Sequence, residues 1–125
     1  MNKRLVGFIG ETLVINFLQN KGWKLICRNF FIEKLEIDIV MEKKDRIIFL
    51  EVRTASLERD ISFDKIKKGD EAPYDLIEKI FPRKKKENFL NAVDIYKSNF
   101  IKKNYLYKDT FLFVIWGKTL FFFPV

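Results

Sequence analysis

The sequence predicts an α/β domain, a single mixed β-sheet flanked by helices in the order α-β-β-β-α-β. Three observations lead there. Residues Lys3–Asn20 carry Leu5, Ile9, Leu13 and Phe17 on one helical stripe, widened by Val6, Val14 and Leu18. Leu35–Thr54, "LEIDIVMEKKDRIIFLEVRT", alternates apolar and polar residues on either side of a charged turn, as a β-hairpin does. A second helical stripe, Phe89, Val93, Tyr96 and Phe100, lies between that hairpin and a strongly apolar tail. Elements of these types pack as one sheet with helices against it, and 125 residues suffice for one such domain.

Each element has a local cause. Gly22 suits the C-terminal stop of the first helix. Gly7 and Gly10 inside it each cost about 1 kcal/mol relative to alanine, which makes sense where another backbone packs closely. Trp23–Ile32 reads as the first strand. Leu35–Thr54 supplies the next two, joined around Glu42–Asp45 by an expected four-residue loop. Residues 55–81 read as a long loop or insertion within the single domain 1–125, ending in a short helix over Tyr74–Phe81. Pro82 suits the first turn of the helix that follows. Thr110–Val125 reads as a hairpin with Gly117 first in a two-residue loop. An apolar edge strand seldom stays unpaired, so Phe121–Phe123 make a homodimer contact one expected use of that edge.

Composition narrows the chemistry. Hydrophobic residues at 48% and charged residues at 33% are globular values. There is no histidine, which excludes Ser-His and Cys-His catalysis and histidine-ligated zinc. A single cysteine, Cys27, excludes an internal disulfide and points to a reducing, cytoplasmic setting. Glu11 and Asn16 interrupt the one apolar run near the N-terminus, so neither a signal peptide nor a membrane span is expected. A net charge of +7 points toward anionic partners, nucleic acid first. Enzyme chemistry in such a chain must run on carboxylates, lysines or a hard metal ion held by oxygen.

The hairpin supplies candidates. Strand alternation puts Leu35, Ile37, Ile39 and Met41 on one face, and Glu36, Asp38 and Val40 on the other. Ile48, Leu50 and Val52 oppose Ile47, Phe49, Glu51 and Arg53 in the second arm. An even-numbered loop gathers the aliphatic sets on one face and the charges on the other. Asp38 then lies directly opposite Glu51, at roughly 5 Å, or diagonal to it, at roughly 7–8 Å. Carboxylates so spaced suit Mg2+ or Mn2+. The same pattern equally fits exposed Glu51 and Arg53 side chains, with a nearby lysine neutralising Asp38.

Gly10-Glu11, "GWKLICRN" (Gly22–Asn29), "EID" (Glu36–Asp38), "FLEVR" (Phe49–Arg53) and "PRKKKENFLNA" (Pro82–Ala92) occur in that order. Between Gly7 and Tyr96 the chain therefore resembles the YraN family of small bacterial proteins. That family is similar to the PD-(D/E)XK restriction-endonuclease-like and Holliday-junction-resolvase-like proteins. The resemblance implies a restriction-endonuclease-like fold and a Mg2+- or Mn2+-dependent endonuclease that hydrolyses DNA phosphodiester bonds. It implies Asp38, Glu51 and Arg53 as catalytic residues, with Asp38, Glu51, the Val52 carbonyl and Glu11 as metal ligands. Arg83, Lys84, Lys85 and Lys86 would contact the nucleic-acid backbone, Lys84 facing the cleft. Glu36 reads as a structural or salt-bridge partner. Arg53 stands where the motif ends in lysine; arginine stays protonated and cannot act as a general base. The alternative is therefore a catalytically inactive nuclease-like module that binds nucleic acid or serves as a protein-interaction scaffold.

Overall fold

The computed structural model describes residues 2–57, 63 and 65–125. The elements run α1 (Lys3–Gln19), β1 (Lys24–Ile32), β2 (Leu35–Lys43), β3 (Arg46–Leu57), β4 (Lys65–Lys68), a 3-10 turn (Gly69–Glu71), α2 (Tyr74–Ile80), α3 (Arg83–Asn99), β5 (Tyr107–Gly117) and β6 (Thr119–Pro124). They form one six-stranded sheet in the order β1-β2-β3-β5-β6-β4. β3 runs parallel to β5 and β4 parallel to β6, while the remaining neighbours are antiparallel. The parallel β3–β5 step needs a crossover, and α2 and α3 lie within it. Among the described residues no helix is long and apolar enough to cross a membrane.

Two cores sandwich the sheet. Val14, Ile15 and Leu18 of α1 pack on Ile39, Met41, Ile48, Leu50, Val52, Phe113 and Ile115. Phe89, Ala92, Val93 and Tyr96 of α3 pack on Val40, Ile47, Phe49, Leu112, Val114 and Phe121. The α3 stripe is the one expected at Phe89, Val93 and Tyr96, whereas Phe100, at the helix end, is exposed and Ala92 joins the core. The α1 stripe is rotated: Gly10, Val14, Ile15 and Leu18 are buried, whereas Leu5 is exposed and Ile9, Leu13 and Phe17 are half-buried. Gly10 explains the rotation. A Cβ there would sit 2.1 Å from Thr54 Oγ1, so the absence of a side chain lets the helix settle onto β3 along that line. Gly7 has no such neighbour within 4 Å.

The hairpin turn is tighter than expected. Lys43 pairs with Arg46, leaving a two-residue turn of Lys44 and Asp45, because Lys44 adopts the left-handed conformation (φ 56°) that such turns use. The loop stays even-numbered, so the register directs Asp38 toward Glu51. Face parity does not hold along the whole strand, however. Ile39 and Met41 join the α1-side core, but Leu35 and Ile37 pack on the α3 side, so alternation breaks at Asp38. Asn29, across from Asp38 in the β1–β2 register, is left-handed (φ 55°), and the ribbon is locally irregular there.

The stretch expected as a long loop contains the end of β3, the strand β4, the 3-10 turn and α2; residues 58–62 and 64 lie outside the described residues. β4 is "KIKK", and lysines are what a sheet edge carries, which is why its sequence reads as loop. Because β4 covers β6, Phe121–Phe123 do not form the outer edge; Phe121 is buried and its two neighbours are half-buried. The C-terminal hairpin turns at Gly117 (φ 63°) and Lys118, as expected.

Candidate active site

Pairing between β2 and β3 stops at Ile39–Leu50, although both strands continue. Where they part, two carboxylates are enclosed: Asp38 is 5% exposed and Glu51 7%. Asp38 Oδ2 accepts from the Val52 backbone N–H at 2.9 Å, taking the place of the next ladder bond. Arg53 Nη2 pairs with Glu51 Oε2 at 2.7 Å. The same guanidinium donates from Nε to the Ile80 carbonyl (3.2 Å) and from Nη1 to the Val52 carbonyl (3.5 Å), with the Phe81 ring 5.9 Å from its Cζ. The end of α2 thus braces Arg53 against the carboxylate.

A second layer comes from α1 and β1. Arg28 Nε pairs with Glu11 Oε1 at 3.3 Å, and Arg28 Nη2 donates to the Phe8 carbonyl at 2.7 Å. The Arg28 Cζ lies 4.0 Å from the centroid of the Phe8 ring. With its nitrogen turned toward the carboxylates, the Asn29 amide donates to Glu11 Oε1 (3.3 Å) and Glu36 Oε1 (3.2 Å). Glu11, Glu36 and Asp38 therefore line one cleft, and Glu51 is enclosed beside it, paired with Arg53 of the lining.

Their electrostatics follow from crowding in a dry place. Burial pushes Glu51 up to about 9, helped by its hydrogen bond with Asp38 and by the charge of Asp38. The 2.7 Å contact with Arg53 pulls the other way and does not compensate. Glu11 rises to about 7, chiefly through burial and then the charge of Asp38, against the opposing pull of Arg28. Glu36 is raised by burial and by Asp38. Such carboxyls are short of positive charge, and a divalent cation is one way to supply it.

The donors suit a hard ion. Among the described residues no group of three or more His, Cys, Asp or Glu side chains is placed to hold a metal. Asp38, Glu51 and the Val52 carbonyl remain as one oxygen set, and Mg2+ commonly takes only one or two protein carboxylates while keeping water and substrate phosphate. Glu11 is engaged by Arg28.

Of the basic residues on α3, Lys85 lines the cleft beside Val52, Arg53, Thr54 and Ile80. Lys84, expected to face the cleft, is not among its lining residues. Lys84 and Lys86 are exposed outside the lining, and Arg83 is held by Glu87 at 3.0 Å. Lys3, Arg4, Gly7, Phe8, Asn29 and Phe31 also border the cleft, and sequence reasoning gave none of them a role in a site. No local sequence signal marks them, because the turn that places Phe31 is a Glu-Lys pair rather than a glycine or asparagine dipeptide. A two-residue turn at Glu33-Lys34, both left-handed, sets Phe31 across from Glu36 and so carries β1 to the carboxylates.

The family model described as "Uncharacterised protein family UPF0102" matches residues 10–108. A UPF0102 protein of Carboxydothermus hydrogenoformans is 35% identical over 107 residues, covering 86% of this chain and 75% of that protein. A UPF0102 protein of Syntrophomonas wolfei is 46% identical over 54 residues (43% of this chain, 46% of that protein). One of Clostridioides difficile is 39% identical over 56 residues (45% and 49%). The chain spans about half the length of these last two relatives. With a family match running through most of the chain, and a relative aligned along 86% of it, the chain belongs to the uncharacterised protein family UPF0102.

Proposed function

We propose that this protein binds DNA and hydrolyses its phosphodiester bonds at the Asp38–Glu51 cleft with a bound Mg2+ or Mn2+ ion, as a restriction-endonuclease-like enzyme. The observation that carries the reading is a pair of enclosed carboxylates where two strands part, bordered by Lys3, Arg4, Arg53 and Lys85. The resemblance of "EID" and "FLEVR" to the PD-(D/E)XK pattern supports it independently.

The chain's own residues divide the work. Asp38 and Glu51, with the Val52 carbonyl, would hold the ion, which when bound lowers the pKa of water and polarises the phosphate. The Val52 N–H fixes the Asp38 carboxylate so that it need not reorganise. Arg53 neutralises charge developing on the phosphate once it releases Glu51. Lys3, Arg4 and Lys85 hold the flanking backbone without reading sequence.

The test is a Mn2+ titration combined with cleavage of branched, flapped and single-stranded DNA. Wild-type protein is expected to bind the ion and cut, and Asp38→Asn and Glu51→Gln to abolish cutting while still binding DNA. A wild type that binds no divalent ion overturns the reading.

One observation favours a second reading, a module that binds nucleic acid without cutting it. Arg53 closes on Glu51 at 2.7 Å and is anchored by two backbone carbonyls, so it can lock the site in a metal-free form. Arg53→Lys separates the two. Cutting that appears only in the lysine variant identifies a lock, whereas cutting by wild type that falls in the variant identifies a working arginine.

A further inference from the structure

The cleft is larger than its carboxylates require. Two adjoining cavities, of about 480 and 620 Å3, share Lys3, Gly7 and Arg53 in their linings. The first opens past Arg4, Phe8, Asn29, Phe31, Glu36 and Asp38. The second continues along Val52–Ala55 to Leu76, Ile80 and Lys85. They form one groove running under α1, past the carboxylates, toward the start of α3.

Three features of this groove are not required by the hydrophobic core. Phe31 is 69% exposed and Phe8 52%, although each is a large ring with a core on the far side of its strand or helix. Both lie at the same mouth, among Lys3, Arg4 and Arg28, and Arg28 already stacks on Phe8. Gly7 is the third. It sits mid-helix at a cost in helix propensity, yet nothing within 4 Å demands a glycine, and it faces the waist the two cavities share.

We propose that this groove is a single-strand site, in which a nucleic-acid strand is held by base stacking on Phe31 and Phe8 and passes over Gly7 to Lys85. The assignment rests on the DNA-binding reading above and specifies its substrate: an unpaired strand or a flap rather than continuous duplex. Cationic side chains interleaved with exposed rings are what sequence-tolerant single-strand sites use, because every base offers a face for stacking and every phosphate a charge. Burial of the carboxylates points the same way. A scissile phosphate must enter the cleft to reach Asp38 and Glu51, and an unpaired strand can be drawn into cavities of this size, whereas a stacked duplex must first be opened. Gly7 keeps the waist clear for the strand's backbone, which a side chain there would obstruct.

The experiment is fluorescence anisotropy with a short labelled oligo-dT and with its oligo-dA duplex, in EDTA so that nothing is cut. The wild type is expected to prefer the single strand. Phe31→Ala should weaken single-strand binding by about 5- to 150-fold, the range typical of one stacked base. Gly7→Leu should weaken it while raising the melting temperature, so that loss of binding is not loss of fold. Leu106→Ala trims an exposed apolar side chain beside the Asp45 end of the sheet and should change nothing. Equal affinity for duplex and single strand, or single-strand binding indifferent to both Phe31→Ala and Gly7→Leu, overturns the groove assignment and leaves the DNA-binding reading standing. Failure to bind either form overturns both.

Discussion

Glu51 illustrates how a single side chain can weaken the fold that a site needs. Its carboxyl titrates near 9 in the folded protein against 4.5 ordinarily, because burial and Asp38 both oppose its charge. The folded state therefore holds a proton that the unfolded chain gives up. The stability this confers is complete below about pH 4.5 and is lost as pH rises toward 9. Glu11, raised to about 7, adds to the same decline over its lower part. The melting temperature of the wild type should thus fall from about pH 5 to about pH 9. Glu51→Gln, uncharged throughout, should melt several degrees above wild type at the alkaline end and close to it at the acid end. Parallel curves for the two proteins would show that Glu51 is not the group responsible. Adding Mn2+ to the wild type should also raise the alkaline melting temperature, since an ion that binds only the folded state stabilises it. Glu51→Gln should lose most of that gain.

At the scale of elements, α1 carries two glycines of opposite meaning. Gly10 is enclosed against Thr54 and Ile115, so Gly10→Ala should destabilise by about 1–3 kcal/mol despite its better helix propensity. Thr54→Ala removes the hydroxyl that the new methyl would meet and should recover much of the loss. Gly7→Ala meets nothing and should stabilise by up to about 1 kcal/mol. Chemical denaturation of the three variants reads all of this, and a destabilising Gly7→Ala would contradict the open surroundings of that position. The same helix marks a limit of periodicity. A hydrophobic stripe counts greasy side chains, so Leu5, Ile9, Leu13 and Phe17 outscore a line that runs through a glycine. Packing chose the line through Gly10, Val14 and Leu18, because the missing side chain at Gly10 lets the helix backbone approach Thr54 and Ile115 closely. In β4 the composition was misleading in the opposite sense, since lysines that protect an edge look like those of a loop.

For the whole molecule, the net charge of +7 matters less than where it is concentrated. Lys3, Arg4 and Lys85 border the groove, while Lys84 and Lys86 do not. Salt titrations of oligo-dT binding should reflect this. Each of Lys3→Ala, Arg4→Ala and Lys85→Ala should lower the log–log salt slope by about 0.7, and Lys84→Ala and Lys86→Ala should leave it unchanged. A uniform effect of all five would mean a diffuse field rather than a groove. The sequence by itself determined the existence of both main helices, the two β-hairpins and the proximity of Asp38 to Glu51, because any even-numbered turn between the arms brings those two positions together. It did not determine how that proximity is achieved. Parity predicted a charged face, but the carboxylates meet where β2 and β3 separate, and Asp38 binds the Val52 N–H that the missing ladder bond leaves free. Only the tertiary structure brings Arg28, Phe8 and Phe31 to that opening, turns Lys85 rather than Lys84 toward it, and lays Arg53 across Glu51. Those contacts join residues distant along the chain, and their geometry depends on how α1, β1 and α3 pack, which no local period encodes.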